Sequence, residues 1–175
     1  METAHSTSLY SLGKGILKFD RFDADGLPTG MRDLGNAPVF NLTIEVETLE
    51  HYSSREGAKT LDKEVTMIKR LKGNFTLDEY DKENLKMFLL GQVDGYYVRP
   101  LTVSEVRGEL YFKGTNEVGP KWSVNIWDAK IKPTGNLSFI AEDDWGKMEF
   151  EFTAQSDEEN HPAEPYARIG VLGDS

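Results

Sequence analysis

Apolar and polar residues alternate with a period of two along most of this chain, the pattern of half-buried β-strands. The clearest run is Val39 to Glu47, where Phe40, Leu42, Ile44 and Val46 share one face. Asn41, Thr43, Glu45 and Glu47 share the other. Gly13–Asp23, Glu64–Phe75, Val106–Lys113 and Trp122–Lys132 read as further strands. The last carries a bulge near Trp127–Asp128, where the apolar parity switches. Leu137–Ala141 and Lys147–Thr153 read as a final hairpin, and "YARIGVLGD" as a short edge strand or a docked tail. If the Val39 and Glu64 strands pair antiparallel, Arg70 or Lys72 comes opposite Glu45 or Glu47.

One segment changes period. In "TLDEYDKENLKMFLLGQ", Thr76 as N-cap and Glu79 three residues on predict a capping box. Leu77, Tyr80, Leu85, Phe88 and Leu89 then make an apolar stripe, and Gly91 stands where a left-handed C-cap is needed. One helix over about 77–90 among roughly seven strands predicts a mainly β chain, an antiparallel β-sandwich or barrel with one flanking α-helix. A single domain over 1–175 carries an extended N-terminal arm (1–12), a long β–β loop (49–63) and a C-terminal tail (154–175).

That loop is the feature the rest of the pattern does not explain. "LEHYSSREGAKTLDKEV" places about a dozen polar residues where hairpin turns commonly need two to five. Ordering them costs conformational entropy that their own domain does not recover, so they are expected to contact something outside it.

Composition narrows the chemistry. The 175 residues are 38% hydrophobic and 29% charged, which reads as a globular chain. No apolar run approaches a membrane span of about 20 residues, and the N-terminus shows no secretory signal pattern. The absence of cysteine excludes disulfides, thiolate metal sites and cysteine nucleophiles. Net charge is −10, and residues 141–175 hold ten acids against two bases. Such a balance does not grip nucleic acid through phosphates, which takes a basic face.

No catalytic or metal constellation stands out. His5, His51 and His161 have no ligand spacing. His51 with Ser53, Ser54 and Asp62 shares one connection, without the rigid scaffold a triad needs. "DRFDADG" would put arginines at the first and twelfth positions of a calcium loop, so a plain turn is expected. Trp127, Trp145 and Tyr96–Tyr97 are a possible sugar-stacking set, and Trp122 is expected in the core. No catalytic residue, metal or cofactor is assigned.

The ordered series "LGKGILKFDRFD", "RDLGNAPVFNLTIEVETLEHYSSREG", "DKEV" and "GNFTLDEYDKENLKMFLLG" resembles the tail tube (major tail) proteins of long-tailed bacteriophages over roughly Gly13 to Gly91. The resemblance also extends in fold to contractile-tail inner tubes and the type VI secretion tube. It implies a structural virion protein forming hexameric rings that stack into a tube through which genomic DNA is ejected. It further implies tape-measure, initiator and terminator partners, a place in the virion tail, and host cytoplasm before assembly. On this resemblance the long loop reaches the adjacent ring, with His51, Tyr52, Ser53, Ser54, Arg55, Glu56, Lys59 and Asp62 as contact candidates and Arg55 as ion-pair donor. Asn41, Thr43, Glu45, Glu47, Arg70 and Lys72 are the lumen-facing candidates, giving a mixed, screened wall past which DNA moves without specific binding. The alternatives are a monomeric carbohydrate- or host-binding β-sandwich built on the exposed aromatics, and a secretion-tube subunit outside any phage.

Overall fold

The computed structural model describes residues 5–173, so residues 1–4 of the expected arm and 174–175 of the expected tail lie outside the described residues. A 3₁₀ turn at Thr7–Leu9 leads to β1 (Gly15–Arg21), β2 (Arg32–Asp33), β3 (Val39–Ser53), β4 (Thr60–Leu77) and α1 (Lys82–Phe88). There follow β5 (Gln92–Asp94), β6 (Tyr97–Arg99), β7 (Val106–Gly114), β8 (Trp122–Thr134), β9 (Met148–Ala154) and β10 (Ala167–Val171). The fold is mainly β, as the alternation predicts.

Eight strands form one antiparallel sheet in the order β2-β1-β7-β8-β9-β4-β3, with β10 paired to β8; β5 and β6 form a separate hairpin. The sheet curls on itself. Phe40 of β3 stacks on Phe112 of β7 with ring centroids 5.2 Å apart, although three strands separate them along the sheet. The enclosed face is built from the alternating positions of each strand, including Leu17, Phe75, Leu110, Ile126, Ile131, Phe150 and Phe152, all essentially inaccessible. Phe75 and Phe150 stack at 4.9 Å, and Phe88 of α1 meets Phe150 edge-on at 5.6 Å, which seats the helix against this core.

The bulge falls where the parity switch predicts. Gly108 pairs with Ala129 and Leu110 with Ile126, so Trp127 and Asp128 together face Glu109. Gly73 marks a close approach, since a Cβ there would collide with the Asn41 carbonyl and the Phe152 ring.

Three expectations are corrected. The helix is shorter than 77–90: Thr76 and Leu77 are buried members of β4, and Asp81 is the N-cap, its side chain accepting from the Asn84 N–H at 2.8 Å. Burial of Thr76 and Leu77 in the ladder outweighs the capping-box signal, and Glu79 instead accepts from the Asn36 N–H. The left-handed residue that closes the helix, just past the C-cap Leu89, is Leu90 and not Gly91, at φ 48°. Leu90 and Gly91 N–H donate to Met87 and Lys86 carbonyls, closing a Schellman motif. Gly91 is glycine because a Cβ would strike the Arg99 carbonyl. Finally, 137–141 is irregular; β9 pairs with β8 and β4 instead.

Candidate assembly surface

β3 and β4 form the longest ladder of the fold, running in register from Val39↔Thr76 to Ser53↔Thr60 with shifts after Glu47 and His51. The expected loop over 49–63 is therefore corrected to a six-residue turn, 54–59, at the end of an extended hairpin. Polar composition concealed this, because strands that touch no core need no apolar alternation.

Only the base of the hairpin belongs to the body. β4 pairs with β9 from Lys72 to Leu77, and beyond that point the hairpin has no further strand neighbour among the described residues. At about 3.3 Å per residue, the ten residues from Ile44 to Ser53 carry it on the order of 30 Å outward.

Its two faces differ in chemistry. The face that begins in the core at Phe40 and Phe75 continues outward through Leu42 and the Ile44/Leu71 pair to Val46. Ile44 is 69% exposed and Val46 51%, with Met67 beside the bulge at 61%. Sequence parity groups Ile44 and Val46 with Phe40 and Leu42 on one face. Parity identifies a face but not where the body ends, so their exposure could not be read.

The opposite face is charge-paired. Antiparallel partners share a face, and the register places Glu45 opposite Arg70, one of the pairings the sequence allows, and Thr43 opposite Lys72. Arg70 bridges Glu47 and Glu45 (3.4 Å to Glu45), and Lys72 donates to Glu45. The Lys72 hydrogen bond is the main reason the Glu45 carboxyl lies below its ordinary pKa, with the Lys72 and Arg70 charges adding to it. The hydrogen bond to Glu47 correspondingly holds Arg70 above the usual arginine value. Asn41 and Thr43 are exposed on the same face.

This polar surface continues across β9 and β8, a continuation the sequence did not reveal because it depends on strand order. Asn74, Glu151 and Lys132 lie side by side, as do Lys72, Thr153 and Lys130. Lys132 pairs with Glu151 at 3.3 Å, Lys130 with Glu105 at 2.7 Å, and Arg107 Nε donates to Asp128 at 3.1 Å.

Of the distal candidates, His51 and Asp62 come together at 2.6 Å, and the Tyr52 hydroxyl donates to Glu50. Ser54, Arg55, Glu56 and Lys59 are exposed in the turn, while Ser53 is half-buried at its start. The aromatics separate. Trp127 stacks on His161 at 3.7 Å and donates to the Glu164 carbonyl at 2.8 Å, fixing residues 155–166 against β8. His161 in turn hydrogen-bonds Asp157 at 2.9 Å, the main cause of that carboxyl's lowered pKa. Trp122, expected in the core, is 41% exposed at the start of β8. The "DADG" segment is a turn in which the Asp23 carboxylate accepts the Asp25 and Leu27 N–H groups.

Residues 10–96 and 97–169 match the family described as "Protein of unknown function UCP028589". The chain belongs to that family. No curated protein matches it in sequence. Among solved structures, the tube-terminating cap of the anti-feeding prophage superposes with a TM-score of 0.51 at 13% identity, covering 98% of this chain and 97% of that one. The family member described here therefore shares its fold with that chain. The extended PVC sheath-tube complex of an extracellular contractile injection system (TM-score 0.46, 12% identity, 89% and 88% covered) is also similar. So is the C6-symmetric tail of an empty GTA particle (0.40, 12%, 98% and 100%).

Proposed function

We propose that this chain is a non-enzymatic structural subunit of a phage-tail-like tube. It assembles as six-membered rings that stack, and the channel so formed passes DNA. One observation carries the reading: a ladder continuous with the core leaves the body with an unburied apolar face on one side and a self-paired ionic face on the other. The apolar face drives contact with a neighbouring subunit. Closing a ring also covers the long β3 edge, which would otherwise invite uncontrolled strand pairing. The ionic face suits a lumen, because its cations are already neutralised by carboxylates. The whole-length likeness to a tube-terminating cap supports the same reading. The particle is a virion tail or tail-like assembly, with tape-measure, initiator and terminator proteins as further partners.

Light scattering with negative-stain electron microscopy at rising concentration tests this. Expected are rings of about six times the 19.8 kDa chain mass, alone or stacked, with a central channel. A monomer at every concentration, together with absence of the chain from isolated tail-like particles, would overturn the reading.

A further inference from the structure

The row Thr134, Glu149, Thr76, Val39 crosses the sheet where β8 ends and β3 begins. Residues 135–147, which join β8 to β9, therefore leave the sheet at this row. The 54–59 turn lies at the other end of the same ladder, fourteen residues along β3 and about 45 Å away at strand rise.

Residues 135–147 present apolar side chains to solvent from a fixed base. Leu137 packs against the core, and the Tyr80 hydroxyl donates to the Ser138 carbonyl at 3.1 Å. The Phe139 ring meets Tyr80 edge-on at 6.3 Å, and Gly146 lies so close that a Cβ there would strike the Tyr80 hydroxyl. Yet Phe139, Ile140 and Trp145 are 75, 87 and 88% exposed. Large apolar side chains grouped and held in this way mark a contact surface. Tyr80, Phe139, Asp144 and Gly146 border a notch of about 260 Å³ within it.

Charge selects the occupant. Residues 136–147 hold Glu142, Asp143 and Asp144 against Lys147, net −2, and Asp78 on the notch adds to this. Asp144 pairs with Lys147 at 3.3 Å, while Glu142 and Asp143 form no ion pair among the described residues. At the hairpin end, residues 53–63 hold Arg55, Lys59 and Lys63 against Glu56 and Asp62, net +1, and Asp62 is engaged by His51. The Glu50/Glu64 pair lies farther back along the ladder. Tyr52 and Leu61, an exposed cross-strand pair, supply apolar surface beside the turn. Each end thus offers apolar side chains with charge of opposite sign. The two ends are too far apart to meet within one chain, but they meet between copies placed head to tail.

We propose that residues 137–146 are the receiving surface for the hairpin turn of a second copy of this chain. This contact presupposes the tube reading and stacks one ring on the next. It uses a different surface on each copy, so it repeats without closing and leaves one turn and one loop free at the two ends of a stack.

The chain has no cysteine, so single thiols can be placed at chosen positions. Variants A58C and I140C, both substituted at exposed positions, are mixed in equal amounts, oxidised, and mapped by peptide mass spectrometry. Expected is 58–140 linkage well above its statistical share, falling as salt is added. Adding R55E/K59E to the A58C chain, or E142K/D143K to the I140C chain, should cut that yield about tenfold or more. Mixing the two reversed chains should restore it. A statistical mixture, a majority of 58–58 or 140–140 linkages, or reversals that do not restore one another would overturn the proposal. Ring mass of the wild type is measured in parallel by light scattering. Rings accompanied by a statistical mixture remove this contact and leave the ring reading standing, whereas 58–140 linkage without rings does the reverse.

Discussion

The exposed apolar face of the hairpin makes a quantitative prediction that separates self-assembly from folding. The perturbation is I44T/V46T, which keeps both positions β-branched and suited to a strand. Fully burying an aliphatic side chain of this size is worth about 1.5–3 kcal/mol. Ile44 retains 69% of its exposure and Val46 51%, so most of that stabilisation is still unrealised in the isolated chain. Scaling by those fractions leaves about 2–3.5 kcal/mol for the two together at a subunit contact, a loss of roughly 30- to 400-fold in contact affinity. Folding should hardly change, because exposed substitutions usually stay within about 0.5 kcal/mol. Sedimentation velocity across a concentration series measures the first quantity and urea unfolding of dilute subunit the second. Unaltered assembly would show that this face is not an interface. A fall in folding stability of about 2 kcal/mol or more would show that Ile44 and Val46 pack within their own chain, and the reasoning would fail there too.

Other consequences are more local. G73A should destabilise the fold by about 1–3 kcal/mol in urea unfolding, because a methyl group there meets a carbonyl and the Phe152 ring with no room to relax. N84A should cost about 2–4 kcal/mol. Asn84 is fully buried, donates to the Leu34 and Glu79 carbonyls at 3.0 and 3.1 Å, and accepts from Arg32 at 2.7 Å. Neutral stability of N84A would mean the network is dispensable. Glu45 should titrate below the ordinary glutamate value by carboxyl NMR, and K72M should move it back up. A carboxyl whose folded pKa is lowered contributes stability above its unfolded pKa and loses it as pH falls through the folded one. Protection factors of the hairpin-base amides, corrected for the intrinsic pH dependence of exchange, should therefore fall on acidification below the ordinary glutamate range, and an unchanged Glu45 titration in K72M would refute the assignment.

The fold class was legible because enclosed strands announce themselves by alternation, and the parity switch at Trp127–Asp128 located the bulge. A basic residue of β4 opposite a glutamate of β3 was legible for the same reason, and the register of the ladder selects Arg70 and Glu45. What could not be read depends on distant chain. The outer ionic surface joins β3 and β4 to β9 and β8, which are far along the sequence, so Lys132 and Glu151 gave no local sign of belonging to it. Length misled in two ways: the polar ladder beyond Glu47 resembled a loop, and Thr76–Glu79 resembled a helix start although Thr76 was needed by the sheet.

The paired outer face leads to a prediction about DNA. Duplex binding by a protein surface is driven by cations that replace condensed counterions, and each phosphate neutralised adds about −0.9 to the slope of log affinity against log salt. Here Arg70, Lys72 and Lys132 are each held by Glu45, Glu47 or Glu151, so a phosphate must displace a carboxylate before it gains a contact. Fluorescence anisotropy with a labelled duplex of about 20 base pairs, between about 50 and 200 mM salt, should find negligible binding and almost no slope for the wild type. The variant E45Q/E47Q/E151Q keeps side-chain length and hydrogen bonding while releasing three cations on one face. It should bind with a slope of about −2 to −3. A wild type that binds steeply would mean the surface grips DNA and does not suit a channel wall. An inert triple variant would mean that these cations do not present a common face to a duplex, whatever their spacing in the sheet.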